Sequence, residues 1–221
     1  MTISNVLQMI FESLSMTIIS LCFSYLIGMP IGLILNMTSK KGIRPCKVVN
    51  IILSSIVNIL RSIPCLIIVV LLMPIVRLVF GTGTGKWYTI IIPLFVASVG
   101  FVARIVEQSL AEVDKGKIEA VRSLGANNWQ IVTKVLLPEA RSSLISGVAV
   151  TFVSILGYTS FAYNIAAGGI IAGIWQFYSK NTGSYLTSIS FWILIIIVVI
   201  LVQLVQEAGL YISKKIDKRR I

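Results

Sequence analysis

The sequence predicts an all-α membrane protein with five spanning helices. The 221 residues are 57% hydrophobic and 12% charged, whereas soluble domains usually carry about 25% charged residues. Five apolar runs are long enough to cross a bilayer as helices, which takes about 20 residues each. No polar block is large enough for a second domain, so we expect residues 1–221 to form a single membrane domain.

The five runs follow one another along the chain. They are, in order, Leu14–Met37, Val48–Phe80, Trp87–Val106, Leu144–Ala167 and Leu186–Gln206. The second run is too long for one perpendicular helix and contains Arg61, Pro64 and Pro74. We expect one helix, tilted or kinked at Pro64, because proline is tolerated in a span when neighbours satisfy the freed carbonyl. Two short helices are the alternative, and they would reverse the side on which everything upstream lies.

Two pairs of glycines have the spacing that lets helices approach closely. They are Gly28 with Gly32 and Gly169 with Gly173. We interpret both pairs as packing positions, because small residues let neighbouring helix backbones come together.

The basic residues are distributed unevenly among the connections. The net charge is +11, but no basic face carries the interleaved aromatic residues that bind nucleic acid, so we expect no nucleic-acid partner. Most of the 19 basic residues follow the first run, follow the third run, or lie in the tail. Basic connections face the cytoplasm, which predicts an external N-terminus and a cytoplasmic C-terminus. The tail contributes Lys214, Lys215, Lys218, Arg219 and Arg220.

Residue types that support hydrolysis or metal binding are scarce. Histidine is absent, which removes the commonest general base and zinc ligand. The scattered cysteines predict neither disulfides nor a metal site: Cys22, Cys46 and Cys65. The glycine-rich stretch 81–86 lacks phosphate-loop spacing, because Phe80 and Trp87 stand where glycine and Ser/Thr are required. We expect no cofactor and no enzyme activity in this chain.

Residues 107–141 read like a soluble surface and hold most of the eight acidic residues. Asp114 can cap a helix, and Gly125 suits a left-handed stop at its end. Asn127 or Asn128 can cap a second short helix. The pattern predicts a helix, a glycine corner and a second helix lying along the membrane surface.

The second of these helices is expected to run through Leu137 and to carry an apolar stripe. The stripe consists of Trp129, Val132, Val135 and Leu136. Pro138 suits the first turn of the helix that follows. Two interpretations fit this segment: an amphipathic loop that rests on the bilayer, or an element to which a cytoplasmic partner docks.

The segment resembles the EAA motif of ABC importer permeases. That motif is Glu-Ala-Ala, three residues, Gly, nine residues and Ile-x-Leu-Pro, and here it reads Glu119–Val121, Gly125 and Val135–Pro138. Val121 and Val135 replace Ala and Ile. The resemblance extends along most of the chain to the methionine importer family, through Val57–Pro64, Ala103–Glu107, Gln130–Ala140 and Gly157–Tyr158.

This resemblance implies a type I importer permease fold in the bacterial cytoplasmic membrane. A second copy of the chain would form a shared path, two copies of a cytoplasmic ATPase would bind ATP, and an extracytoplasmic lipoprotein would deliver the substrate. Membrane lipid would surround the spans. The residues that would couple to the ATPase are Glu119, Ala120, Gly125, Val135, Leu137 and Pro138, all within residues 107–141.

The resemblance also places the path among the second, third and fourth spans. Tyr158 and Phe161 are candidates for an apolar constriction, which closes a pore by excluding water, although ordinary helix packing explains them equally well. Arg61 is the one charge deep in a run, where a charge usually faces a partner or a wet path. Its alternative place is the cytoplasmic end of the span.

Three other functions compete with the methionine permease. The first is an ABC permease for another amino acid or small solute. The second is an ion-coupled secondary carrier, which would more often show a carboxylate within a span, whereas Glu12, Glu107 and Glu207 lie near the ends of runs. The third is a membrane enzyme, for which a catalytic constellation is missing.

Overall fold

The computed structural model describes residues 3–216, which are largely helical and contain no strand. Lys218, Arg219 and Arg220, which we counted in the basic tail, lie outside the described residues. The α-helices are, in order, α1 (Ile3–Thr38), α2 (Lys47–Ser62), α3 (Cys65–Phe80), α4 (Ile91–Ala111), α5 (Lys115–Ser123), α6 (Asn128–Ile131), α7 (Leu137–Glu139), α8 (Arg141–Tyr158), α9 (Ile170–Lys180) and α10 (Ile189–Ile216). The all-α prediction is confirmed.

Within residues 3–216, four helical segments are long and apolar enough to cross a membrane on their own. They are Ile3–Thr38, Trp87–Ala111, Arg141–Ile165 and Ile189–Ile216. The second and third of these include short 3-10 turns, Trp87–Ile90 before α4 and Thr159–Ile165 after α8. Helices α2 and α3 pass the same test only as a bent pair, so the five predicted runs correspond to four candidate spans, or to five where this pair is one broken span.

The second run forms two helices, so our expectation of one continuous kinked helix is wrong. Helix α2 ends at Ser62, α3 begins at Cys65, and the chain bends by 101° between them. Pro64 explains the position of the break, because its ring disfavours helical backbone at Ile63. Pro64 itself is non-helical, with φ −55° and ψ 138°, and it occupies the N-cap position of α3.

The first and last helices are longer than the apolar runs that predicted them. Helix α1 begins at Ile3 rather than Leu14, and α10 ends at Ile216 rather than Gln206. Glu12 and Glu207 therefore lie inside helices. The absence of a carboxylate within an apolar run therefore no longer distinguishes this chain from an ion-coupled carrier.

A polar contact with α9 explains why the first turns of α1 are ordered. The Glu12 carboxylate accepts a hydrogen bond from the Gly169 backbone N–H at 2.9 Å, and the Ser13 hydroxyl accepts one from Ile170 at 2.8 Å. These two side chains satisfy donors at the start of α9 that have no partner inside that helix. The early turns of α1 thus serve as the cap of another helix.

The described chain forms two compact units, each built from separate stretches of sequence. The first unit contains residues 3–23, 63–98 and 151–206. Its core includes Met16, Val69, Leu94, Ile155 and Ile165. The second unit contains residues 24–62, 99–150 and 207–216. Its core includes Val102, Val106, Leu110, Ile131 and Leu136.

Gly28 and Gly32 are packing positions, as their spacing predicts. Both lie on α1 in the second unit and face α4. An added Cβ at Gly28 would lie 2.8 Å from Val102 Cβ, and one at Gly32 would lie 2.7 Å from Val106 Cβ. Neither distance is possible without movement of a helix.

We expect Gly32→Ala to destabilise the protein although alanine favours helix. The new methyl group meets the backbone of Ala103 and the Val106 side chain, and such overpacking costs about 1–3 kcal/mol. Gly157→Ala is the matched control, because no atom lies within 4 Å of its added Cβ. Thermal unfolding in detergent should show a lower midpoint for the first variant only; equal midpoints would contradict the close approach of α1 and α4.

Candidate functional site

The EAA-like segment forms the predicted helix, glycine corner and second helix. Helix α5 begins after Asp114, whose carboxylate accepts a hydrogen bond from the Gly116 N–H at 2.9 Å. Its end is a Schellman arrangement, in which Gly125 donates to Arg122 O at 2.9 Å and Ala126 donates to Val121 O at 3.3 Å. Such an ending needs a left-handed residue, and Gly125 has φ +84°. The local predictions for this corner are confirmed.

Asn127, rather than Asn128, caps the second helix. Its side chain accepts from the Gln130 N–H at 2.8 Å, and the Gln130 side chain accepts from the Asn127 N–H at 2.9 Å. This reciprocal pair is a capping box. The helix continues from α6 through a π-helical turn, Val132–Leu136, into α7.

The π-helical turn precedes Pro138, which stands in the first turn of α7 as predicted. The Leu137 N–H bonds to Val132 O, five residues back. Proline has no N–H to donate and its ring crowds the preceding turn, so a widened turn lets the helix pass the proline without ending. Apart from the proline itself, no sequence pattern predicts this turn.

The second helix is anchored to α4 by its apolar stripe. Ile131, Val132 and Leu136 are buried and share a cluster with Val106 and Leu110. Val135 is also buried. Leu137, Pro138 and Glu139 are only partly buried. The second helix is therefore part of the core of this unit.

Trp129, which we placed on the apolar stripe, is not buried with the other members of that stripe. Its side chain is 72% exposed, and Leu124 beside the glycine corner is 87% exposed. Glu119 and Ala120 are exposed as well. Exposed large apolar groups flanking a rigid corner indicate a contact surface. We call Glu119, Ala120, Leu124 and Trp129 the corner surface.

Two charged contacts hold α5 in place within the second unit. The Arg122 guanidinium donates to the Ile43 carbonyl at 2.7 Å, which joins α5 to the connection between α1 and α2. Lys117 forms an ion pair with Glu139 at 2.7 Å, which joins α5 to α7. A displacement of α5 would therefore pull on two other parts of this unit.

The candidate constriction residues lie in the first unit. Tyr158 is the last residue of α8, Phe161 lies in the 3-10 turn that follows, and both are partly buried against the first core. Tyr163 in the same turn stacks on Trp175, with ring centroids 6.0 Å apart. Helix packing accounts for part of each side chain, and both stay candidates for a constriction.

Arg61 lies in the second unit, in the last turn of α2, and is exposed. The missing side chain of Gly100 on α4 leaves space for the aliphatic part of the Arg61 side chain, because an added Cβ at Gly100 would lie 3.0 Å from Arg61 Cγ. Within residues 3–216 its guanidinium has no hydrogen bond or ion pair. Arg61 belongs to the second unit, whereas Tyr158 and Phe161 belong to the first.

Sequence reasoning missed a polar network between α2 and α4. Arg104 pairs with Glu107 at 2.6 Å and donates to Ser54 Oγ at 2.5 Å and Asn58 Oδ1 at 2.7 Å. Ser54, Asn58 and Arg61 recur at helical spacing on α2, and this spacing could have predicted a polar face on that helix. The network gives α2 a polar face beside the exposed Arg61.

Comparison with known proteins identifies the class. A polytopic helical chain with an exposed helix–glycine–helix segment suits the membrane component of a transport system. Residues 28–211 match the family described as binding-protein-dependent transport system inner membrane component, and the chain belongs to that family. The resemblance drawn from the EAA-like segment is thus confirmed.

Particular relatives extend this match along the chain. The chain is 38% identical over 94% of both sequences to a probable D-methionine transport system permease protein of Pasteurella multocida. It is 40% identical to the D-methionine transport system permease protein of Escherichia coli K12, over 68% of this chain and 69% of that one. It matches a chain of the solved MetNI methionine ABC transporter, inward facing, with a TM-score of 0.88, 34% identity and 97% of both chains covered. A solved amino acid ABC transporter at 20% identity and TM-score 0.75 shares the fold.

We expect Asn127→Ala to loosen the second helix locally. Loss of the capping box leaves the Gln130 N–H without its partner and costs about 1 kcal/mol. Amide hydrogen exchange over residues 128–136 should be roughly fivefold faster. Asn128→Ala is the control, since no capping bond involves that side chain; equal acceleration in both variants would show that Asn127 is not the cap.

Proposed function

We propose that this chain is the membrane-spanning subunit of an ATP-driven importer that translocates methionine. The observation that carries the proposal is the corner surface, which is exposed on a segment anchored to the helices of the second unit. Similarity over 94% of the length to permeases named for D-methionine supports the substrate. Within the same class, the alternative is a permease for a different amino acid or another small solute.

The assembly would contain two copies of this chain around a shared path. Two copies of an ABC ATPase would bind the corner surfaces on the cytoplasmic side, and an extracytoplasmic binding lipoprotein would deliver substrate. The similarity to a chain of the solved MetNI transporter supports this arrangement. The ATPase would hold the nucleotide, and this chain would then need no cofactor of its own.

The membrane would be the bacterial cytoplasmic membrane, with the N-terminus outside and the C-terminus in the cytoplasm. Basic residues of the second unit support this orientation. They include Lys40, Lys41, Arg44 and Lys47 between α1 and α2, and Lys214 and Lys215 at the end of α10. Cytoplasmic connections carry such an excess of Lys and Arg.

Coupling would work through the anchored second helix. Movement of an ATPase subunit would displace the corner at Gly125, and the Schellman ending keeps this corner stiff. The displacement would pass to α4 mainly through the buried side chains of Ile131, Val132 and Leu136. The Lys117–Glu139 ion pair would guide α7, and α8 begins two residues after Glu139. Residues 107–141 thus form the segment that converts partner movement into helix movement.

The energy for this change would come from the partner. A shift from 1:99 to 99:1 between two conformations requires about 5.5 kcal/mol of differential binding. Stretch 81–86 lacks the spacing of a phosphate loop and forms a turn in which the Gly85 N–H donates to Ile165 O at 3.0 Å. ATP binding by the ATPase pair would close the two corners together and open the path outward.

Tyr158 and Phe161 would close the path on the external side. Both side chains are aromatic and follow the exposed Gly157, and an apolar constriction stops conduction by excluding water. Arg61 lies in the last turn of α2, at the opposite end of the helix from the cytoplasmic Lys47, so its exposed guanidinium would face the water-filled path.

Reconstitution with the ATPase tests the proposed function directly. Proteoliposomes that contain both subunits and the binding protein should transport labelled methionine only when ATP is present on the cytoplasmic side of the membrane. The purified chain alone should show no ATP hydrolysis. Uptake driven by an ion gradient without ATP would identify a secondary carrier, and ATP-driven uptake of another solute in preference to methionine would identify the alternative substrate.

Gly125→Pro should separate ATP hydrolysis from uptake in the same vesicles. Proline fixes φ near −65° and has no N–H, so it cannot adopt φ +84° or donate to Arg122 O. We expect hydrolysis to continue while methionine uptake falls at least tenfold. Gly116→Ala, in the exposed first turn of α5, is the control and should transport normally; normal uptake by Gly125→Pro would exclude the corner as the coupling element.

A further inference from the structure

A cavity of about 270 Å³ lies in the second unit between α5 and the connection that joins α1 to α2. Its apolar lining includes Ile43, Leu110 and Ile118. Its charged lining groups are Lys41, Lys115, Arg122 and Glu119. Three cations against one carboxylate make this a cationic cavity with an apolar floor.

The two lysines of the cavity have spare binding capacity. Within residues 3–216, neither the Lys41 nor the Lys115 side chain forms a hydrogen bond or an ion pair. Arg122 uses one N–H for the Ile43 carbonyl, and a guanidinium has five N–H donors. An anion in the cavity would therefore meet several unused donors.

Lys41 projects from a fixed turn. Gly42 donates to Ser39 O at 2.9 Å, and Arg44 donates back to Met37 O at 3.0 Å. The Cys46 N–H closes the turn on Thr38 O at 3.1 Å. The backbone that presents Lys41 is thus organised before any ligand arrives, which lowers the entropy lost on binding.

The depth of the cavity indicates which anion fits it. It lies where α1 ends at Thr38 and α4 ends at Ala111, and both helices are apolar enough to span a membrane. The span that ends at Ala111 has 25 residues, which as a helix is about 38 Å long and close to the thickness of a bilayer with its headgroups, so its end lies near the headgroup level. Basic pockets at this level on the cytoplasmic side suit anionic lipid headgroups.

We propose that this cavity binds the phosphate group of an anionic phospholipid from the cytoplasmic leaflet. The phosphate oxygens accept from Lys41, Lys115 and Arg122, and the first acyl carbons lie against the apolar floor. Glu119 lines this cavity and also belongs to the corner surface, so the site adjoins the corner surface, while the lysines that bind the phosphate lie outside it.

A bound headgroup would fix α5 at both ends. Lys115 is the first residue of α5, and Arg122 lies in its last turn. The phosphate joins the first turn of α5 to Lys41, while Arg122 already joins the last turn to Ile43. An anionic lipid therefore limits movement of α5 relative to the α1–α2 connection.

Native mass spectrometry of the purified full chain, with any subunits that co-purify, tests this site. Phosphatidylglycerol and phosphatidylcholine of the same acyl composition are the probes. The wild type should retain phosphatidylglycerol preferentially, and the double variant Lys41→Gln/Lys115→Gln should bind it at least tenfold more weakly, because two charges near the headgroup are lost. The control Lys86→Gln/Lys180→Gln removes two basic residues of the first unit and should bind like the wild type.

Three results would overturn the proposal. Equal retention of phosphatidylglycerol by the wild type and the Lys41/Lys115 variant would show that the lipid binds elsewhere. Displacement of the lipid by millimolar inorganic phosphate would make this a site for free phosphate. The Lys41/Lys115 variant could also lose the co-purified ATPase in phosphatidylcholine while its binding of phosphatidylglycerol stays unchanged. That result would assign the two lysines to a protein partner. Arg122 is left intact so that its bond to Ile43 keeps α5 in place.

Discussion

The packing of the second helix of the EAA-like segment onto α4 is the interaction on which the proposed mechanism depends. Ile131, Val132 and Leu136 are almost fully buried, and burial of such a side chain contributes about 1.5–3 kcal/mol. Helices as short as α5 and α6 are marginal by themselves in water. Without this apolar anchor, the corner at Gly125 would move independently of the spanning helices, and a partner that grips it could not change their arrangement.

Local signals in the sequence predicted this segment well, because its caps depend on neighbouring residues only. Asp114, Gly125 and Asn127 act as the chain pattern indicates, since each satisfies backbone groups within a few positions. The exposure of Leu124 and Trp129 could not be predicted in this way. Helical spacing shows which residues share a face, but not whether that face meets its own chain or a partner.

The failures of sequence reasoning in the apolar runs have a different cause. Pro64 was recognised as a disturbance, but hydropathy does not tell a kink from a break of 101°. The early turns of α1 contain Glu12 and were excluded from the first run, although contacts with Gly169 and Ile170 keep them helical. In both cases a long-range contact or a backbone restriction overrides composition.

The contacts that α5 makes with neighbouring segments determine how a movement of the corner at Gly125 reaches the spanning helices. Arg122 joins α5 to the α1–α2 connection, and Lys117 joins α5 to α7. An exposed ion pair contributes only about 0–1 kcal/mol, so neither contact alone could carry a shift of about 5.5 kcal/mol. The apolar anchor on α4 must therefore transmit most of the force, while the charged contacts set the direction in which α5 moves. It follows that weakening Lys117–Glu139 should alter coupling far less than a cavity made at Leu136.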